Sequence, residues 1–166
     1  MLNRKAIFEN IRSNVEDIIE EMPTHGTVDL QPLFFSLTLK SAMFLLFGEK
    51  VPWRWSNQDK HDHAAFANAF ALGQEYLSHR SRLGGLYWLL DTPRFRKTCD
   101  TARACIGGMV QEVLDRTEAP TQDDVRRSFM GTLLRKTNDR IAMQDQCMNM
   151  LLAARDTTAC CLSWTM

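Results

Sequence analysis

Apolar residues recur at intervals of three and four along almost the whole chain, and this spacing is that of one face of an α-helix. The clearest run comprises Phe95, Cys99, Ala102, Ile106, Met109 and Val113. No segment shows the apolar–polar alternation that a half-buried β-strand requires. The sequence therefore predicts an all-α fold.

Residues that cap helix ends divide this pattern into elements. Asp29 stands where an N-cap is needed, and Gly48 stands at the C′ position of the helix that follows. Asp91-Thr92-Pro93 and Asp139 mark two further helix starts. Breaks are predicted at 23–26, 51–57, 84–85, 117–121 and 137–139. The first helix carries a stripe that we expect to be buried: Ile7, Phe8, Ile11, Val15, Ile18 and Ile19.

The composition narrows the class of protein. Of the 166 residues, 45% are hydrophobic and 24% are charged, which is typical of a single globular domain. Lys and Arg total 20, as do Asp and Glu, so no net charge attracts the chain to nucleic acid. The five cysteines form no Cys-x-x-Cys pair, which favours reduced intracellular thiols. The longest apolar runs, 43–47 and 86–90, fall far short of the roughly 20 residues of a membrane span, so we expect no transmembrane segment in this chain.

Two patterns suggest metal binding but fail on geometry. His61 and His63 lie two positions apart on a predicted helix, so their side chains point to nearly opposite sides. The adjacent Cys160 and Cys161 fail as a pair of ligands for a similar reason. We therefore predict no metal ligand among these residues.

One helical segment combines small, acidic and hydroxyl residues within apolar surroundings: Ala153-Ala154-Arg155-Asp156-Thr157-Thr158. The two alanines let a flat group approach the helix backbone. An acid beside an alcohol on the same helix is suited to delivering protons to a bound cofactor. The alternative is that these polar side chains only form hydrogen bonds within their own helix, since a helical threonine can donate to the carbonyl four residues earlier.

This hexapeptide resembles the distal-helix signature of the cytochromes P450, Ala/Gly-Gly-x-Asp/Glu-Thr-Thr/Ser. The similarity is collinear over essentially all 166 residues and is greatest to the fungal hydroxylases of alkanes and fatty acids. The further matching segments are Asp29–Phe35, Phe47–Glu49, Phe66–Phe70, Arg80–Gly84 and Leu162–Thr165. The resemblance implies that 1–166 is a partial cytochrome P450 domain, without the N-terminal part and without the C-terminal haem-thiolate part.

The resemblance also implies roles for the residues of the segment. Asp156 and Thr157 correspond to the family's catalytic pair, in which the alcohol contacts the bound oxygen and the acid feeds protons. Ala153, Ala154 and Thr158 would line the face of the haem cofactor. The family usually has glycine where Ala154 stands, so this chain adds one methyl group to a tight groove.

The function implied by the resemblance is that of a haem-dependent monooxygenase acting on a long-chain, alkane-like or fatty-acid-like substrate. Its electrons would come from NADPH-cytochrome P450 reductase, and the intact relative would sit at the endoplasmic reticulum membrane. We expect this chain to be inactive by itself. The alternatives are a non-catalytic helical binding or decoy protein and a gene remnant. Because later helices of the family fold would be missing, we expect partial exposure of Leu151, Leu152, Cys160, Leu162, Trp164 and Met166.

The family's thiolate loop, Phe-x-x-Gly-x-Arg-x-Cys-x-Gly, does not occur in these 166 residues. Arg103–Gly107 matches its second half, but Thr98 and Thr101 replace the Phe and Gly, and Cys105 falls within a predicted helix. A polypeptide of these residues should therefore give no thiolate-type carbon-monoxide difference band after incubation with haem. A band that is present with Cys105 and lost in Cys105→Ala would contradict this prediction.

Overall fold

A computed structural model describes residues 4–48, 60–117 and 128–166, with side chains given for 4–48, 65–115 and 128–166. All regular elements in these ranges are helices, which confirms the predicted all-α class. The α-helices are α1 (Arg4–Glu21), α2 (Leu30–Phe47), α3 (Lys60–Leu83), α4 (Pro93–Thr117), α5 (Phe129–Leu134) and α6 (Arg140–Thr165), and a 3-10 helix covers Gly84–Leu90. The chain forms two compact units, Met1–Val51 with Glu112–Met166, and Pro52–Gln111.

Three of the predicted helix ends are capped as the sequence indicates. The Asp29 carboxylate accepts a hydrogen bond from the backbone N–H of Gln31 at 3.1 Å, which starts α2. Gly48 ends α2 with a φ of +86°, a region that favours glycine, and its N–H donates to the Phe44 carbonyl. The Asp139 carboxylate accepts from two N–H groups in the first turn of α6.

The start of α4 is capped by the hydroxyl of Thr92, which accepts from the N–H of Phe95 at 3.1 Å. Asp91 instead binds the guanidinium of Arg96 through both carboxylate oxygens, at 3.2 and 2.7 Å. This ion pair lowers the pKa of Asp91. The break expected at 84–85 is a change of helix type, since Gly84 begins the 3-10 helix directly after α3. The break at 51–57 lies outside the described residues, as does most of 117–121.

The first unit is organised around α2, which contacts α1, α5 and α6. The last two-thirds of α2 is largely buried, through Thr38, Leu39, Ala42, Met43, Phe44, Leu46 and Phe47. α6 buries one residue every four positions: Met143, Cys147, Leu151, Arg155 and Ala159. This spacing brings one narrow stripe of α6 inward and leaves the opposite side of the helix exposed.

That stripe corrects the expectation for Leu151, which is fully buried and not partly in water. Leu151 follows Cys147 by one turn of α6, so it faces the same packed surface. Cys160, Trp164 and Met166 are exposed, while Leu152 and Leu162 are half-buried, as expected. Burial therefore follows the face of α6 and not its position near the end of the chain.

The expectation for α1 was wrong for most of its apolar stripe. Ile18 is buried, but Phe8 is 64% exposed, and Ile11, Val15 and Ile19 are exposed as well. α1 faces α2 through a mixed surface, in which the Asn14 amide donates to the Ser41 hydroxyl at 3.5 Å. Asn14 and Ile18 are the buried residues of α1, so most of the apolar stripe lies outside the buried face.

α2 is the one described helix whose length and apolar content would also allow it to cross a membrane. Length and composition alone are weak grounds for a membrane span, because a helix buried in a protein core can be equally long and equally apolar. The contacts of α2 with α1, α5 and α6 are those of a core helix. That this chain carries no transmembrane segment remains a prediction.

In the second unit, Arg80 of α3 contacts two aromatic rings. Its guanidinium carbon lies 5.1 Å from the ring centre of Tyr87 and 4.8 Å from that of Phe95. The Asp91 carboxylate is 3.8 Å from the same guanidinium. Arg80 thereby ties the 3-10 helix and the start of α4 to α3 through cation–π and charge interactions.

The burial pattern of α6 predicts unequal effects of two truncations on stability. Leu151→Ala leaves a cavity under α6 and should lower the free energy of unfolding by about 2–5 kcal/mol. Trp164→Ala removes a larger side chain that is 89% exposed, and should change that free energy by less than about 0.5 kcal/mol. Urea titrations followed by far-ultraviolet circular dichroism measure both. Equal losses would show that the stripe is misassigned.

Candidate functional site on the last helix

The predicted site residues occupy the outward face and one flank of α6. Ala153 and Thr157 are exposed and lie one helical turn apart, so they share one face. Thr158 is also exposed, whereas Ala154 is half-buried beside it. Asp156 lies at the border between this face and the buried stripe, with 30% of its side chain exposed. The helix thus presents a small residue and a hydroxyl side by side, with a carboxylate at their edge.

The hydroxyl of Thr157 donates a hydrogen bond to the carbonyl of Ala153 at 2.6 Å. Because this bond uses the hydroxyl proton, the lone pairs of Thr157 Oγ1 are directed away from the helix. The side chain can therefore accept a hydrogen bond from a group that approaches this face. The hydrogen bond to the carbonyl four residues earlier, which was the alternative interpretation of the sequence, is therefore present. It orients the hydroxyl of Thr157 and leaves its oxygen able to accept another hydrogen bond.

Arg155 is a part of the site that sequence reasoning missed. Only 8% of its side chain is exposed, and its guanidinium carbon lies 5.0 Å from the ring centre of Phe35 on α2. Nη1 of Arg155 lies 3.8 Å from Oδ1 of Asp156. Burial lowers the pKa of Arg155, while the neighbouring Asp156 carboxylate acts in the opposite direction.

The sequence contained a signal for the burial of Arg155. Met143, Cys147, Leu151 and Ala159 repeat every four residues, and position 155 completes the series. An arginine at a stripe position requires partners for its charge, and Phe35 and Asp156 supply them. The interpretation of the hexapeptide treated this position as variable and gave it no role.

The other sequence patterns with a possible ligand role do not join this site. Cys105 lies inside α4 and is half-buried. Cys160 and Cys161 are exposed on α6, within the two turns after Thr157. The side chains of His61 and His63 lie outside those described. Within the described residues, no three His, Cys, Asp or Glu side chains come together as a metal site.

Comparison with known proteins defines the class of the chain. The family model for cytochrome P450 matches residues 2–166, and the chain belongs to this family. A relative named cytochrome P450, from Arthroderma benhamiae, is 44% identical over 170 residues, which cover the whole chain and 34% of the relative. No solved structure matches the chain.

Two further relatives bear more specific names. Cytochrome P450 52A5 from Candida maltosa is 35% identical over 96% of the chain and 30% of its own length. Cytochrome P450 52-E3 from Starmerella bombicola is 32% identical over 95% of the chain and 32% of its own length. The chain therefore spans about a third of the length of these relatives.

The cytochrome P450 family implies haem, and the exposed face of α6 fits one side of such a flat group. Ala153 has no side chain beyond its methyl group, so a planar ring can come close to the backbone there. Thr157, one turn later, offers a hydroxyl acceptor at the same surface. Ala154 is half-buried, so the methyl group that it has in place of the family's usual glycine is only partly exposed.

The cysteines of the first unit should differ sharply in reactivity. Cys147 is buried with its sulfur 3.2 Å from that of Met130, and burial raises the pKa of its thiol to about 12. Because the thiolate is the nucleophile, Cys147 should resist alkylation from pH 7 to 9, whereas exposed Cys160 and Cys161 react. Mass spectrometry of iodoacetamide-treated protein tests this, and urea should make Cys147 reactive. Equal labelling in native buffer would contradict the burial.

Proposed function

We propose that these residues belong to a haem-dependent monooxygenase and form the side of its haem pocket where oxygen is activated. The observation that carries the proposal is the arrangement of Ala153, Asp156 and Thr157 on one accessible side of α6. Membership of the cytochrome P450 family supports haem as the cofactor. The substrate we propose is a long-chain, alkane-like or fatty-acid-like molecule, which rests on the resemblance to the fungal hydroxylases.

The residues of α6 have distinct tasks in this proposal. Haem, when bound, supplies the oxygen chemistry. Ala153, with Ala154 and Thr158 at its sides, lets the flat group lie against the helix. Thr157 accepts a hydrogen bond at that surface, because its own proton is held by the Ala153 carbonyl. Asp156 holds and releases a proton at the edge of the face.

The proposal concerns a protein longer than this chain, since the relatives are about three times its length. In that protein the electrons come from NADPH-cytochrome P450 reductase, at the endoplasmic reticulum membrane. The 166 residues contain no match to the thiolate loop, so we propose that they are inactive without the remainder of such a domain. Asp156, Thr157 and the residues beside them would act only once that remainder is present.

The hydroxyl of Thr157 predicts a specific defect in the enzyme that contains these residues. Thr157→Ala removes the acceptor and should raise the ratio of released peroxide to hydroxylated product. Thr157→Ser keeps a hydroxyl that can bond to the same carbonyl, so it should remain close to wild type. The ratio is obtained for each variant by measuring peroxide, hydroxylated product and NADPH consumption. Unchanged coupling in Thr157→Ala would remove Thr157 from its role.

The carboxylate of Asp156 predicts a second defect, in rate. Asp156→Asn keeps the size of the side chain but cannot carry the proton, and product formation should fall about 100-fold. A larger solvent isotope effect on NADPH-dependent turnover should accompany the loss, because proton delivery becomes limiting. Wild-type rates in Asp156→Asn, together with wild-type coupling in Thr157→Ala, would refute the proposed function.

A further inference from the structure

Arg155 is the one charged residue in the buried stripe of α6, whose other members are Met143, Cys147, Leu151 and Ala159. A cation in such a position loses its hydration, and a buried charge is costly unless it is paired. For packing alone, an apolar side chain of similar size would serve as well or better. The presence of arginine therefore calls for a role that depends on its charge or its planar shape.

Phe35 and Asp156 both lie next to the guanidinium. The ring of Phe35 lies with its centre 5.0 Å from the guanidinium carbon, within the range of a cation–π contact. Nη1 of Arg155 is 3.8 Å from Oδ1 of Asp156. That carboxylate oxygen is buried and accepts no hydrogen bond from the residues that the structure describes. The guanidinium of Arg155 is thus a charged group that faces this buried oxygen of Asp156.

The neighbouring positions of Arg155 and Asp156 do not by themselves bring their side chains together. Consecutive residues on a helix point about a quarter-turn apart, and their side chains do not normally face each other. Here Arg155 is directed towards α2 and Asp156 towards the border of the exposed face. The Phe35 ring is one contact of the guanidinium, and the guanidinium lies in turn beside the carboxylate.

We propose that Arg155, held against Phe35, is a positioning residue that fixes the carboxylate of Asp156 at the edge of the face that carries Thr157. The ring of Phe35 on α2 contacts the guanidinium of Arg155, and this guanidinium lies beside the carboxylate of Asp156. The contact between α2 and α6 thereby controls the placement of the proton donor. This inference rests on the proposed function for its catalytic part, but its structural part stands without it.

The structural part is tested in the 166-residue chain by nuclear magnetic resonance of the Asp156 side chain. Three-bond couplings to its β protons should indicate one dominant χ1 rotamer in the wild type. Arg155→Met keeps the length and loses the charge, and Phe35→Leu loses the ring; both should average those couplings. Arg155→Lys should restore part of the rotamer preference. Far-ultraviolet circular dichroism verifies that each variant stays helical.

Phe34→Leu is the matched control, because Phe34 is the adjacent aromatic residue on α2 and is half-buried like Phe35. It should leave the couplings of Asp156 as in the wild type. Averaged couplings in Phe34→Leu as well would mean that any loosening of α2 disturbs Asp156, and would overturn the inference. Wild-type couplings in Arg155→Met would overturn it too.

The catalytic part is tested in the haem-loaded enzyme that contains these residues. Arg155→Met and Phe35→Leu should lower product formation and raise its solvent isotope effect in the same direction as Asp156→Asn, with little change in KM. Arg155→Lys should recover part of the rate. If Asp156→Asn is defective while Arg155→Met is normal, the inference fails and the proposed function survives. If Asp156→Asn and Thr157→Ala are both normal, the proposed function fails.

Discussion

The contact between α2 and α6 is the interaction on which the first unit depends. The second half of α2 is largely buried, and the helix contacts α1, α5 and α6. α6 carries a buried stripe that repeats every four residues, from Met143 to Ala159, and Arg155 of this stripe contacts Phe35 of α2. Such a stripe buries one side of a helix only, and the opposite side remains available for chemistry. The position of the candidate site is therefore a consequence of how α6 packs.

The same contact explains why the candidate site is polar at its edge. The stripe includes Arg155, whose charge is balanced by the ring of Phe35 and the carboxylate of Asp156. Asp156 lies where the buried and exposed sides of α6 meet, so it is partly withdrawn from water while remaining near Thr157. This position leaves the carboxylate at the edge of the exposed face, where the proposed enzyme would use it as a proton donor.

In the second unit, one segment is held in place by a different kind of contact. Its 3-10 helix buries none of its own residues, and Arg80 connects it to α3 and α4 through Tyr87, Phe95 and Asp91. The interface between α2 and α6 is mostly apolar and contains the cation Arg155, whereas the 3-10 segment is held by a cation that contacts two rings and a carboxylate. Both arrangements use arginine, whose planar guanidinium can contact an aromatic face and a carboxylate at the same time.

The sequence by itself determined the helical class, both ends of α2, the start of α6 and the family, because caps and spacing act locally and a family signature is read directly from residues such as Asp156 and Thr157. Tertiary structure decided which faces are buried. The stripe of α1 looked like a core surface, yet Phe8 and Ile19 are exposed, and the buried residues of that helix are Asn14 and Ile18. Leu151 is buried, and Arg155 lies beside both Phe35 and Asp156, because other helices, α2 and α5, pack against α6. Periodicity shows that a helix has an apolar side, but the neighbour that covers it is chosen by contacts between residues far apart in the chain.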